Sequence, residues 1–213
     1  MVFKIYLCVA SFMSDSKEEF FMKGNNKNAM STGTLVMYAL LTAVVIILQF
    51  LGAFIHFGPF SVTLVLLPIV IGAALCGPKA GAWLGFVFGA VVLLSGDANA
   101  FLSVNVVGTI ITVLLKGILA GFLTGIVYNA LASKNRFVAT AVSAIVCPVV
   151  NTGIFLIGCF IFFMDTITVW AAGSESVASY MIFVLVGGNF LFEVAANVIL
   201  CPVIVRLLNI RQN

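Results

Sequence analysis

Residues 105–131 read NVVGTIITVLLKGILAGFLTGIVYNAL, a long apolar run interrupted by a single charge, Lys116. A helix of this length reaches about 40 Å at 1.5 Å per residue, more than the roughly 30 Å hydrocarbon core of a bilayer. Gly117, Gly121 and Gly125 recur at four-residue spacing, which lets the backbone of a neighbouring helix approach closely. The stretch therefore reads as a transmembrane helix with a small-residue packing face, and its one lysine needs an explanation.

The rest of the chain has the same character. Of its 213 residues 63% are hydrophobic and only 8% charged, against about 25% charged in an ordinary soluble domain. Mean hydropathy is +1.26. This is the composition of an integral membrane protein. The five cysteines (Cys8, Cys76, Cys147, Cys159, Cys201) are scattered, mostly in apolar runs, without metal-type pairing, and read as packing residues.

Working outward from residues 105–131, further apolar runs occupy 34–54, 60–76, 80–95, 137–164 and about 180–208, giving an all-α bundle of six spans. The runs at 60–76 and 80–95 are short and are expected to be tilted, broken or buried by neighbours. Gly81, Gly85 and Gly89 repeat the four-residue spacing seen in residues 117–125. Lys79, Lys134 and Arg136 lie in loops on one side, joined by Lys17, Lys23 and Lys27 before the first run and Arg206 and Arg211 at the end. The opposite loops hold His56, Asp97, Asp165 and Glu175, so the positive-inside rule places both termini in the cytoplasm. Residues 1–29 differ: the apolar piece FKIYLCVASFM is too short to span and lacks a signal-peptide cleavage site. They are expected to be a disordered or loosely attached extension, an upstream start-site artefact with Met22 and Met30 as later starts, or a surface-lying amphipathic piece. Residues 30–213 form the membrane domain.

Counted from the outer helix ends, Lys116 lies roughly 17 Å deep, Glu193 roughly 18 Å and Asn151 roughly 20 Å, so three polar side chains on three helices share one layer. A charge at that depth costs about 2.5–3.5 kcal/mol even on lenient scales and must face the bundle interior. Lys116 and Glu193 either pair with each other, fixing helix register, or face a ligand. Asn189, Glu193 and Asn197 form one stripe at i, i+4, i+8, and Pro148 loosens its helix one turn before Asn151. Both features point to a cavity in that layer. Ala39 and Ala43 make a small face without an obvious internal mate.

Several classes are excluded. No Gly-Lys dipeptide occurs, so there is no phosphate-binding loop for ATP. His56 is the only histidine, which leaves no zinc-enzyme ligand set. Asp97 and Asp165 lie at the outer surface, not together at one membrane depth. No enzyme, cofactor, metal or nucleic-acid partner is implied.

The run LPIVIGAALCGPKAGAWLGFVFGAVVLLSGD (67–97) resembles the second and third helices of the substrate-binding S components of energy-coupling factor (ECF) transporters, with their pattern P-x-x-x-G-x-x-x-x-G-P-x-x-G-x-x-x-G. LLKGILAGFLTGIVY (114–128) is similar to the fourth helix of that family and GNFLFEVAANVILCPVIVRLL (188–208) to the sixth; the chain looks nearest to the riboflavin-type branch. The resemblance implies a six-helix subunit of a bacterial plasma membrane that captures a vitamin or related micronutrient from outside. It then docks on a membrane T component driven by two ATPase subunits and topples in the bilayer to release its cargo. Riboflavin is the first expectation, from that branch resemblance; Lys116, which could receive a carboxylate or phosphate, would suit pantothenate, a folate-like acid or a phosphorylated compound. The family's ligand position maps here onto Phe57, Asp97, Asn105, Lys116, Asn151, Trp170, Asn189 and Glu193, with His56, Asn99 and Asp165 nearby. Its docking face for the T component maps onto Ala39 and Ala43. The alternative is a stand-alone proton-coupled carrier titrating Glu193, although such carriers usually show two related halves.

Overall fold

The computed structural model describes residues 32–54, 56–57, 60–61, 64–172, 176–202 and 205; the extension 1–29 and the terminal Arg206 and Arg211 lie outside the described residues. The described chain is helical apart from one small ladder. Helix α1 (Thr32–Phe54) leads into strands β1 (His56–Phe57) and β2 (Phe60–Ser61), which pair antiparallel with His56 opposite Ser61 and Phe57 opposite Phe60. There follow α2 (Leu66–Cys76), α3 (Pro78–Ser95), the short α4 (Asn99–Leu102), α5 (Val106–Ala132), α6 (Arg136–Phe162) and α7 (Met164–Trp170). The last helix, α8 (Val177–Ile199), is π-helical from Tyr180 to Gly187 and α-helical from Gly188 to Ile199.

Among the described residues five helices are long and apolar enough to cross a membrane: α1, α3, α5, α6 and α8. The expected span at 60–76 is shorter than the apolar run. Its helix begins only at Leu66, because Pro68 lacks an N–H and fits the first turn of a helix but not its interior. The resulting 11 residues reach about 16 Å, too little for the hydrocarbon core. Helix α2 resolves this by burial: every residue from Leu66 to Ala73 is buried. Val45 and Leu48 of α1, Leu84 and Phe88 of α3, and Val113 of α5 share its core.

Gly77 separates α2 from α3 at φ +89° and ψ −178°, a conformation L side chains rarely adopt, and Pro78 then opens α3. Helices α3 and α5 meet through their glycines. A β-carbon on Gly81 would collide with the Gly121 carbonyl, and one on Gly85 with the Gly117 carbonyl. The two four-residue repeats are thus one interlocked interface.

The outside is apolar and the inside carries polar groups, the arrangement a bilayer solvent demands. Ile47, Leu94, Val107, Phe160, Phe183 and Ile199 are exposed, whereas Gln49, Thr112, Thr124, Ser143, Asn151, Glu193 and Asn197 are buried. One of these polar groups repairs a defect. Pro148, inside α6, has no N–H to give the Ala144 carbonyl one turn back, and Asn197 Nδ2 of α8 donates to that carbonyl at 3.1 Å. This bond ties α8 to α6.

Candidate functional site

A cavity of about 180 Å³ lies between the helices. Gln49 of α1, Phe88 and Val92 of α3, and Asp97, Ala98 and Phe101 around α4 form one part of its wall. Val113 and Lys116 of α5, and Asn151, Thr152 and Phe155 of α6, continue it. Leu185, Val186, Asn189, Phe190 and Glu193 of α8 complete the wall.

The π-helical turn delivers the last group. Leu185 and Val186 belong to the π segment, and the α-helix that follows brings Asn189 and Glu193 to the same wall. π segments recur at functional sites because their extra residue per turn re-aims the side chains downstream. Asn189 Nδ2 donates to Glu193 Oε1 at 3.0 Å, so the i, i+4 spacing read from sequence is a physical contact. The third member of that stripe, Asn197, is not in the wall; its amide serves the Ala144 carbonyl instead.

Lys116 is the only cation in the cavity wall among the described residues. Its Nζ lies 5.1 Å from the Phe155 ring centroid and 5.9 Å from that of Phe88, within cation–π range of both. These faces stabilise the ammonium while leaving it able to donate hydrogen bonds. The wall's carboxylates have protein donors. Asp97 Oδ2 accepts from Gln49 Nε2 at 2.6 Å and from Ser95 Oγ at 3.2 Å, and Glu193 accepts from Asn189.

Five of the eight substrate positions anticipated from sequence line this cavity: Asp97, Lys116, Asn151, Asn189 and Glu193. Asn105 does not. Its side chain caps α5, accepting from Gly108 N at 2.9 Å, which is the ordinary role of an asparagine ahead of a helix. Trp170 stands behind the wall, its ring 5.6 Å from Phe101 and steeply tilted to it. Phe57 is in β1, and its side chain lies outside the described residues. Asn99 and Asp165 are exposed. Ala39 and Ala43 are exposed on α1, in a stripe with Val36, Ile47 and Phe50.

Gln49 was not anticipated. It is a lone amide within VVIILQF and is 0% exposed. The cost of a polar group in an apolar span is the signal that marks it.

The model of the family described as ECF transporter, substrate-specific component, matches residues 33–205. The chain belongs to this family. This substrate-specific component is therefore a membrane transporter subunit and not an enzyme. It is similar to the pantothenic acid transporter PanT of Lactococcus lactis subsp. cremoris (strain MG1363), at 29% identity over 196 residues, covering 84% of this chain and 95% of the relative. The match leaves out the first 32 residues, while the cavity and all its lining groups fall inside it.

Proposed function

We propose that this S component captures pantothenate, or a compact hydroxylated carboxylate close to it, from the outer side of the plasma membrane. The observation that carries the reading is Lys116, a cation held over two aromatic faces in a small cavity between helices. The ligand carboxylate meets Lys116, and amide groups of Asn151 and Asn189 meet its polar body. Glu193 orients Asn189.

Charge favours pantothenate over the riboflavin expected from the branch resemblance. Riboflavin has no carboxylate for Lys116. The similarity to PanT supports the same choice.

In this reading α2 is the short sixth crossing and both termini are cytoplasmic. The subunit docks through Ala39 and Ala43 on a T component whose two ATPases supply the energy, the division of labour of the family. A stand-alone proton-coupled carrier titrating Glu193 is the competing mechanism. Purified, detergent-solubilised protein should retain pantothenate by mass spectrometry and bind it by calorimetry at submicromolar Kd, with riboflavin failing to compete. Retention of a flavin, or pH-driven uptake by the chain alone in liposomes, would overturn the proposal.

A further inference from the structure

Gln49 sits in the cavity wall on α1, fully buried, and its amide has a fixed orientation. Asp97 Oδ2 lies 2.6 Å from Nε2. A carboxylate only accepts, so the amide must present its N–H₂ to Asp97 and turn its oxygen elsewhere. Ser95 Oγ donates to the same Asp97 oxygen at 3.2 Å and helps hold it in place. Gln49 Oε1 is buried and has no hydrogen-bond partner among the described residues. The same is true of Asn151 Oδ1, on α6 in the same wall. Native interiors rarely leave such acceptors unmet, and each one calls for a donor.

We infer that Gln49 contacts the substrate and sets its specificity, with Oε1 accepting a hydrogen bond from a hydroxyl of the bound molecule. Asn151, whose amide no hydrogen bond to the described residues orients, offers a second polar contact, while Lys116 takes the acidic end. The site thus selects a small carboxylate carrying a hydroxyl donor, and rejects apolar acids of the same size. Asp97 is a positioning residue: it keeps the Gln49 oxygen available by engaging the nitrogen. This inference rests on the reading of the cavity as the pantothenate site.

The test is calorimetric binding to the full-length purified chain of three probes: pantothenate and its two analogues each lacking one hydroxyl. Wild-type protein is expected to bind one deoxy analogue about 10- to 100-fold more weakly than pantothenate, the effect of leaving a buried acceptor unmet. Gln49→Met, similar in size and apolar, should lose pantothenate affinity by a comparable factor yet bind that analogue within about threefold of wild type, erasing the preference. Asp97→Asn should shrink the preference, because its own amide can accept from or donate to Gln49 and no longer fixes which way that amide turns. Thermal melting of each variant in detergent shows that it is folded, and the wild-type comparison of probes needs no variant. If wild type binds all three probes equally, or folded Gln49→Met keeps the preference, the inference fails while the pantothenate reading stands. If wild type does not bind pantothenate, both fall together.

Discussion

Gly85 of α3 and Gly117 of α5 face each other so closely that a β-carbon on either would strike the other's carbonyl oxygen. Lys116 is the residue before that contact, so the depth and rotation of the lysine are set where two backbones touch. Neither can shift without moving the cavity wall.

Gly85→Ala is therefore expected to force the helices apart. Overpacking of a close interface costs about 1–3 kcal/mol, and here the obstacle is backbone, which cannot swing aside. Thermal unfolding in detergent should show the loss. Gly153→Ala is the control: nothing lies within 4 Å of its β-carbon position, and alanine is the better helix former by roughly 1 kcal/mol. That variant should be as stable as wild type or more so.

The bond from Asn197 to the proline-vacated Ala144 carbonyl gives a second prediction. Asn197→Leu should destabilise the protein by about 1–3 kcal/mol, the cost of a buried acceptor without a donor. Pro148→Ala restores an N–H at position 148, one turn after Ala144. The double variant should recover much of the loss, and a double-mutant cycle by thermal melting reads the coupling directly. Strictly additive effects would mean that the two residues do not serve the same carbonyl.

Much of this arrangement was legible in the chain. Gly81, Gly85, Gly117 and Gly121 showed their role through spacing, because close helix packing has a periodic signature. Lys116, Asn151 and Glu193 showed theirs through cost, because an apolar span tolerates such groups only inside the bundle. Other features were hidden for physical reasons. Gln49 is neutral and alone, so charge counting passes over it; its cost in an apolar span was the one mark it carried, and its bond to Asp97 joins segments far apart in sequence. Asn105 resembles a site residue by position, while its side-chain Oδ1 accepts locally from Gly108 N. The π segment Tyr180–Gly187 has no compositional rule that would mark it. The late start of α2 was not read from the apolar run at 60–76; Pro68, which falls in the first turn of that helix, is compatible with it.

Docking and capture should separate. Ala39 and Ala43 are exposed on α1, whereas the cavity is lined from that helix by Gln49. Ala39→Leu or Ala43→Leu should leave pantothenate binding by the purified subunit unchanged. Uptake by cells or by the reconstituted complex should be abolished, because a bulkier side chain keeps the T component from close approach. Normal uptake by both variants would remove this face from the docking assignment.

Glu193 Oε1 accepts from Asn189, and in this account the carboxylate acts on the ligand by orienting that amide. Glu193→Gln keeps shape and an acceptor for Asn189, and should weaken pantothenate binding by less than tenfold. Glu193→Ala frees the Asn189 amide from its acceptor and should weaken binding more. Calorimetric titration of pantothenate into each variant measures the difference. Equal losses would give Glu193 a charge-dependent role of its own.

The most direct test is the pantothenate dissociation constant of wild type and of Lys116→Met, measured by calorimetry on folded, detergent-purified protein. Methionine keeps an apolar stem of similar length between Phe88 and Phe155 and removes the ammonium with its charge and donors. A hydrogen bond to a charged group contributes about 1.5–3 kcal/mol, so affinity should fall about 10- to 150-fold. An unchanged dissociation constant would contradict the assignment of Lys116 as the group that receives the substrate's carboxylate.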